Sequence, residues 1–78
     1  MSWISYKNLS GNAGVTYYRI KDNSIEIRFT KNQDTHYYIY SSPPLSIDRM
    51  KLLAEEGRGL STFITQNRKY LTCSKISL

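Results

Sequence analysis

The segment Ser24–Thr30 alternates strictly between apolar and polar side chains. Successive side chains of an extended chain point to opposite faces, so its residues divide into two sets, Ile25, Ile27 and Phe29 against Glu26, Arg28 and Thr30. This pattern predicts a half-buried β-strand. A chain of 78 residues with such a strand must supply further elements that cover the apolar face.

Two more strands are predicted beside it. Val15–Ile20 is rich in β-branched and aromatic residues, and the polar turn 21–23 separates it from the alternating strand. A second polar turn, 31–34, leads to the aromatic segment Thr35–Ser41. The economical arrangement is an antiparallel meander of three strands.

Two helices are predicted after the strands. Pro43 and Pro44 end the sheet, because proline cannot donate to a strand ladder, and Pro44 suits a first helical turn. Apolar residues then recur at intervals of three and four up to Gly57 and Gly59, either of which can cap a helix. A shorter helical pattern covers Leu60–Lys69. The predicted fold class is α+β, with a three-stranded antiparallel β-meander followed by two helices packed on one face.

The sequence also predicts one domain over residues 1–78, with a core region at 13–69 and peripheral extensions at 1–12 and 70–78. The expected core consists of Val15 or Tyr17, with Ile25, Ile27, Phe29, Ile47, Met50, Leu53, Ala54, Phe63 and Ile64. The N-terminal Trp3, Ile4, Tyr6 and Leu9 are expected at the sheet edge. Residues 70–78 are too apolar for a solvated tail and are expected to dock, either as a short edge strand or across a partner subunit, with edge pairing slightly favoured.

Residues that carry common catalytic chemistry are scarce. One histidine, His36, and one cysteine, Cys73, are too few for a Cys/His zinc site. Glu55 and Glu56 are adjacent on a helix and do not converge. We expect no enzyme, no metal and no cofactor. The single cysteine and the lack of a long apolar run predict a cytoplasmic protein without a membrane segment.

The positive charge is concentrated at the C-terminal end of the chain. Residues 1–56 carry seven basic and six acidic side chains, whereas residues 57–78 carry four basic side chains and no acidic one. Such a basic surface raises the expectation of a polyanionic partner, although a basic surface that only aids solubility is about as common.

The order of motifs resembles the KTSC domain, a small module named after the C-terminal end of some lysyl-tRNA synthetases that also occurs as free-standing bacterial and phage proteins. The resemblance rests on the strand motif at Ile25, Ile27 and Phe29, on an aromatic at Tyr17 or Tyr18, on Tyr38-Ile39-Tyr40, on Pro44 and on Leu53-Ala54. It covers roughly residues 13–66.

Two positions depart from that family's pattern. Glu56 stands where the family usually has serine. The family's aromatic residue and asparagine after the glycine either correspond to Ser61 and Thr62 or are displaced by an insertion. Both departures lie near the predicted interhelical loop. The resemblance implies RNA binding, which has been suggested for the family because of its attachment to a synthetase.

The facing of the third strand is left open by the sequence. His36, Tyr38 and Tyr40 share one face, and Tyr37 and Ile39 share the other. One alternative makes the tyrosines an exposed platform for single-stranded bases. The other, slightly favoured, packs Tyr38 and Tyr40 under the helices and exposes Tyr37.

The first functional hypothesis is a non-enzymatic module that binds RNA or single-stranded nucleic acid through a basic surface with exposed aromatics. Its expected contacts are Arg19, Arg28, Lys31, Tyr37, Arg58, Arg68 and Lys69. The alternative is a small oligomeric interaction protein, with phage among its candidate sources, that binds a host protein or a nucleotide-like ligand. This alternative is motivated by the small core, because a chain of this size can gain stability by burying apolar surface between copies.

Overall fold

The computed structural model describes residues 2–9, 11 and 14–78, so the predicted domain boundary between residues 12 and 13 lies outside the described residues. These residues form strands β1 (Ile4–Ser5), β2 (Val15–Ile20), β3 (Ile25–Phe29), β4 (His36–Ser42) and β5 (Thr72–Ser77), with helices α1 (Pro44–Glu56) and α2 (Leu60–Asn67). Short 3₁₀ turns at Thr30–Asn32 and Arg68–Tyr70 follow β3 and α2.

The sheet is antiparallel throughout, and its strand order is β1-β2-β3-β4-β5. The predicted α+β class and the two helices are therefore confirmed. The prediction of three strands is wrong, because the described residues form five. The two extra strands are the outer ones, which come from the segments that the sequence prediction placed at the periphery.

The C-terminal segment forms the edge strand β5. It pairs with β4 from His36 opposite Ser77 to Ser42 opposite Thr72, with one irregularity between Tyr40 and Ser42. Leu78 extends the pairing by donating its N–H to the Thr35 carbonyl at 2.9 Å. Of the two docking modes expected for this segment, the structure shows edge pairing.

Glycine ends α1 and begins α2. Gly57 has a φ of 81°, a left-handed conformation, and donates its N–H to the Leu53 carbonyl at 3.0 Å. Gly59, also at a φ of 81°, precedes the first residue of α2. The two glycines turn the chain sharply, so that both helices pack over the same face of the sheet and contact each other.

The core lies between that face and the helices. Its buried residues are Tyr6, Val15, Tyr18, Ile25, Ile27, Tyr40, Ile47, Met50, Ala54, Leu60 and Ile64. Phe29, Leu53 and Phe63, which were expected in the core, are only partly buried against it. A bulge in β2 between Val15 and Tyr17 explains why Val15 and Tyr18 both face the core and Tyr17 does not.

The N-terminal segment contributes more to the helix side than the sequence suggested. Ile4 pairs at the sheet edge opposite Tyr18, but Tyr6 is buried and its hydroxyl accepts the N–H of Leu60 at 3.3 Å. Leu9 is exposed, and its backbone N–H binds the Gly57 carbonyl at 2.7 Å. The expected position at the sheet edge is therefore confirmed for Ile4 but wrong for Tyr6, which belongs to the core.

Candidate functional site

The pairing of β3 with β4 settles which tyrosines face the helices. Ile25 lies opposite Tyr40 and Ile27 opposite Tyr38, so these tyrosines share the face of the apolar strand residues. Tyr40 is 7% exposed and Tyr38 is partly buried against the core. Tyr37 lies on the opposite face of the sheet. The favoured alternative is therefore right that Tyr38 and Tyr40 face the helix side, but Tyr37, which it expected to be exposed, is half-buried against Trp3.

A cleft of about 820 Å³ lies on the helix side, where the helices leave part of β4 and β5 uncovered. The walls of the cleft come from three strands, from α2 and from the turn after α2. They include Phe29, Tyr38, Tyr40, Ile64, Arg68 and Cys73. We call it the helix-side cleft. Its walls are mainly aromatic and aliphatic, so the cleft offers flat apolar surfaces to a ligand.

The aromatic wall is held by ring and hydrogen-bond contacts. The rings of Phe29 and Tyr38 meet edge to face, with 5.4 Å between their centroids. The Tyr38 hydroxyl lies 3.1 Å from Nε2 of His36, whose Nδ1 lies 3.0 Å from the Thr35 hydroxyl. Desolvation and, secondarily, the Lys75 charge lower the pKa of His36, so its neutral form is favoured here.

Tyr40 and Cys73 lie opposite each other in the pairing of β4 with β5, and both line the cleft. Desolvation is the main cause that raises the pKa of the Tyr40 hydroxyl, with further contributions from the neighbouring Cys73. Desolvation also raises the pKa of the Cys73 thiol, partly offset by the Tyr40 hydroxyl and by Arg68. A thiol in this state is protonated at neutral pH and is a poor nucleophile. Both groups therefore stay protonated and uncharged at neutral pH.

Cations lie beside these apolar walls. Lys31, in the 3₁₀ turn after β3, and Arg68, at the start of the turn after α2, both line the helix-side cleft. Lys69 follows directly in the same turn and is exposed. No described residue that lines the cleft is acidic. The cleft therefore combines apolar walls with positive charge and is complementary to an anionic group with a flat apolar part.

Asn32 adds a polar group at the cleft. Its backbone carbonyl accepts from the N–H and the hydroxyl of Thr35, each at 3.1 Å. Its side-chain Oδ1 is buried and, among the described residues, has no hydrogen-bond partner. Burying an acceptor without a partner costs about 1–3 kcal/mol, which a donor that reached it would offset.

The opposite face of the sheet carries a cluster of rings and cations. We call the set Trp3, Tyr17, Arg19, Arg28 and Tyr37 the open-face cluster. The guanidinium carbon of Arg19 lies 4.2 Å from the centre of the Trp3 ring, and that of Arg28 lies 5.3 Å from the centres of the Trp3 and Tyr17 rings. Trp3 and Tyr37 meet edge to face at 5.1 Å. These contacts cover a sheet face that no described helix covers.

The two arginines of this cluster also bind polar groups of the fold. Arg19 forms an ion pair with Glu26, which is only 6% exposed although it lies on this face. Arg28 donates to the Gln33 carbonyl in the turn that precedes β4. Removing Arg19 would leave the buried Glu26 carboxylate with fewer partners. Removing Arg28 would do the same to the Gln33 carbonyl in the turn. Both side chains therefore stabilise the sheet and its second turn.

The seven expected contact residues thus separate into different regions. Lys31, Arg68 and Lys69 lie at or beside the helix-side cleft, whereas Arg19, Arg28 and Tyr37 lie in the open-face cluster. Arg58 is exposed in the turn between the helices. Sequence reasoning missed Phe29 and Asn32 as cleft residues and Trp3 as the centre of the opposite cluster. The sequence carries no local signal for Asn32 or Trp3, because the 3₁₀ turn after β3 places the first and the pairing of β1 with β2 places the second.

Two further properties concern the described residues as a whole. In residues 2–9, 11 and 14–78, no helix is long and apolar enough to cross a membrane. The same residues hold no group of three or more His, Cys, Asp or Glu side chains that could hold a metal ion.

Comparison of the chain with protein-family models, with curated proteins and with solved structures found no match. The resemblance to the KTSC domain stays a prediction.

Proposed function

We propose that the protein is a non-enzymatic module that binds RNA or other single-stranded nucleic acid. A base enters the helix-side cleft, and the adjoining phosphates lie on Lys31 and Arg68. The observation that carries this proposal is the combination of an aromatic cleft with two cations and no described acidic lining residue.

The size and walls of the cleft suit a base with its sugar. Sites for small organic groups usually enclose about 300–1,000 Å³, and this cleft encloses about 820 Å³. Phe29 and Tyr38 offer aromatic surface, on which any base can stack. Stacking of this kind requires an unpaired base, so single strands are preferred over duplexes.

The charge around the cleft supports binding of the phosphate backbone. Lys69 adjoins Arg68, and residues 57–78 contain four basic side chains and no acidic one. Arg58 lies in the turn before α2, on the helix side of the sheet. Such contacts add affinity that is nearly independent of base sequence and that falls as salt rises.

The open-face cluster fits this function less well. Arg19 is paired with Glu26, Arg28 is bonded to the turn carbonyl of Gln33, and Tyr37 packs against Trp3. A phosphate or a base on this face would compete with contacts that the fold already makes. We therefore assign nucleic-acid binding to the helix-side cleft. The resemblance to the KTSC domain supports the same class of ligand.

The test is fluorescence anisotropy with a labelled single-stranded RNA, a single-stranded DNA and a duplex, each at low and physiological salt. We expect both single strands to bind more tightly than the duplex, with affinity falling steeply as salt rises. Arg68→Gln and Lys31→Gln should each reduce the slope of log affinity against log salt by about 0.7. Arg49→Gln is the matched control, because Arg49 is exposed on α1 and does not line the cleft.

Three outcomes separate the alternatives. Equal loss of affinity in Arg49→Gln and Arg68→Gln would mean nonspecific attraction to net charge, and absence of binding at low salt would overturn the proposal. Binding of a mononucleotide as tightly as an oligonucleotide would favour the nucleotide-like ligand of the alternative hypothesis, because the backbone on either side of the base would then contribute nothing.

A further inference from the structure

The edge strand β5 has one side of its backbone without a partner strand among the described residues. Leu78 donates its N–H inward to the Thr35 carbonyl. Because the direction of backbone groups alternates along a strand, the N–H and C=O groups of Cys73, Lys75 and Ser77 point away from β4. The opposite edge of the sheet is the two-residue strand β1, so β5 is the longer of the two edges.

Little in β5 protects this edge from pairing. The strand contains no proline or glycine, and Lys75 is its one charged residue. Tyr70 and Leu78 flank it and are 73% and 58% exposed, among the most exposed large hydrophobic residues of the described chain. A partner along this edge would therefore gain backbone hydrogen bonds and cover exposed apolar surface at both ends.

We propose that this edge pairs with β5 of a second copy of the chain, antiparallel about a twofold axis through Ser74. Side chains that lie opposite one another in an antiparallel pair share a sheet face, and facing alternates along each strand. In a pair of identical strands, opposite residues therefore differ by an even number of positions. The twofold axis then passes between the two copies of one residue. An axis through Lys75 sets two like charges directly opposite each other, which is destabilising. The neighbouring axis, through Ser74, avoids this contact.

The register about Ser74 is self-complementary. Cys73 lies opposite Lys75 of the second copy, and these two residues exchange both of their outward backbone hydrogen bonds. The register carries Leu78 of the second copy past the start of β5, to the end where the exposed Tyr70 lies in the preceding 3₁₀ turn, and the symmetry repeats this at the other end of the junction. The sheet becomes continuous through both copies. Because Cys73 also lines the helix-side cleft, the two clefts lie on either side of the junction.

Cysteine cross-linking tests the register. In a Cys73→Ser background, Ser74→Cys places two thiols on the axis in a non-hydrogen-bonded pair, where the Cα atoms are about 4.5 Å apart and a disulfide can form. Lys75→Cys in the same background is the matched control, because its copies are offset by two residues and lie beyond the roughly 7 Å that a disulfide spans. We expect mild oxidation to give covalent dimers from the first variant and not from the second. The reverse result would overturn the register.

Sedimentation equilibrium tests the association itself and is independent of nucleic-acid binding. Lys75→Pro removes an outward N–H that β4 does not use, so the fold should persist, and the dimer dissociation constant should rise at least about tenfold. Lys75→Ala should retain the dimer, and circular dichroism checks that both variants are folded. The proposal is overturned if the parent chain stays monomeric at millimolar concentration, or if folded Lys75→Pro dimerises like the parent.

Discussion

Replacement of Gly57 by alanine should destabilise the protein through two separable effects. Gly57 has a φ of 81°, where a residue with a Cβ costs about 1–2 kcal/mol. A Cβ at this position would also lie 2.5 Å from Cβ of Lys7, so the N-terminal segment has to move. Overpacking of this kind typically costs about 1–3 kcal/mol more. The expected total is about 2–5 kcal/mol.

Gly11→Ala provides the matched control. Gly11 has nearly the same conformation, with a φ of 82°, but a Cβ there would meet no atom of the described residues within 4 Å. Its substitution should therefore show the backbone effect alone, about 1–2 kcal/mol. The difference between the two variants isolates the contact with Lys7, and Lys7→Gly in the Gly57→Ala background should recover much of it.

Urea denaturation at 25 °C, followed by circular dichroism, measures both variants. For a domain of this size a loss of 1 kcal/mol lowers Tm by about 4–8 °C, so thermal melts provide a second reading. Equal destabilisation by Gly57→Ala and Gly11→Ala would refute the argument, because the N-terminal segment would then not be packed against the junction of the two helices.

Three further predictions concern the core and His36. Ile27→Ala should destabilise the protein by about 2–5 kcal/mol, because Ile27 is fully buried, and an unchanged melting curve would contradict this. Tyr6→Phe should cost about 1–3 kcal/mol in a urea melt, because the buried N–H of Leu60 loses its acceptor. His36 should titrate below its usual pKa of about 6.5 in an NMR titration, so stability should fall as the pH drops through that range, and Lys75→Ala should move the pKa back upward.

The sequence was sufficient where a periodic pattern coincides with burial. The alternation in Ser24–Thr30 correctly predicted β3, and the spacing of Ile47, Met50 and Ala54 correctly predicted the buried face of α1. β5 gave no such signal, since all but one of its six residues are exposed and no apolar face alternates. β1 is only two residues long, and it forms because it pairs with β2, whose residues lie more than ten positions away in the chain.

The candidate site was harder to predict because it depends on register. The sequence showed that Tyr38 and Tyr40 share a face, but only the pairing of Tyr40 with Ile25 shows which face. Alternation likewise placed Glu26 on the solvent side, yet Glu26 is buried because Arg19 pairs with it and lies against Trp3. Contacts between residues far apart in the chain decide both points.

The most direct test of the central claim is a titration of the ¹⁵N-labelled protein with a short single-stranded RNA, followed by two-dimensional NMR. The account predicts shift changes at residues of the helix-side cleft, including Phe29, Tyr38 and Ile64. The indole signal of Trp3, the single tryptophan of the chain, should stay in place because it lies on the opposite face. Shifts concentrated at Trp3 and Tyr37, with the cleft signals unchanged, would contradict the account.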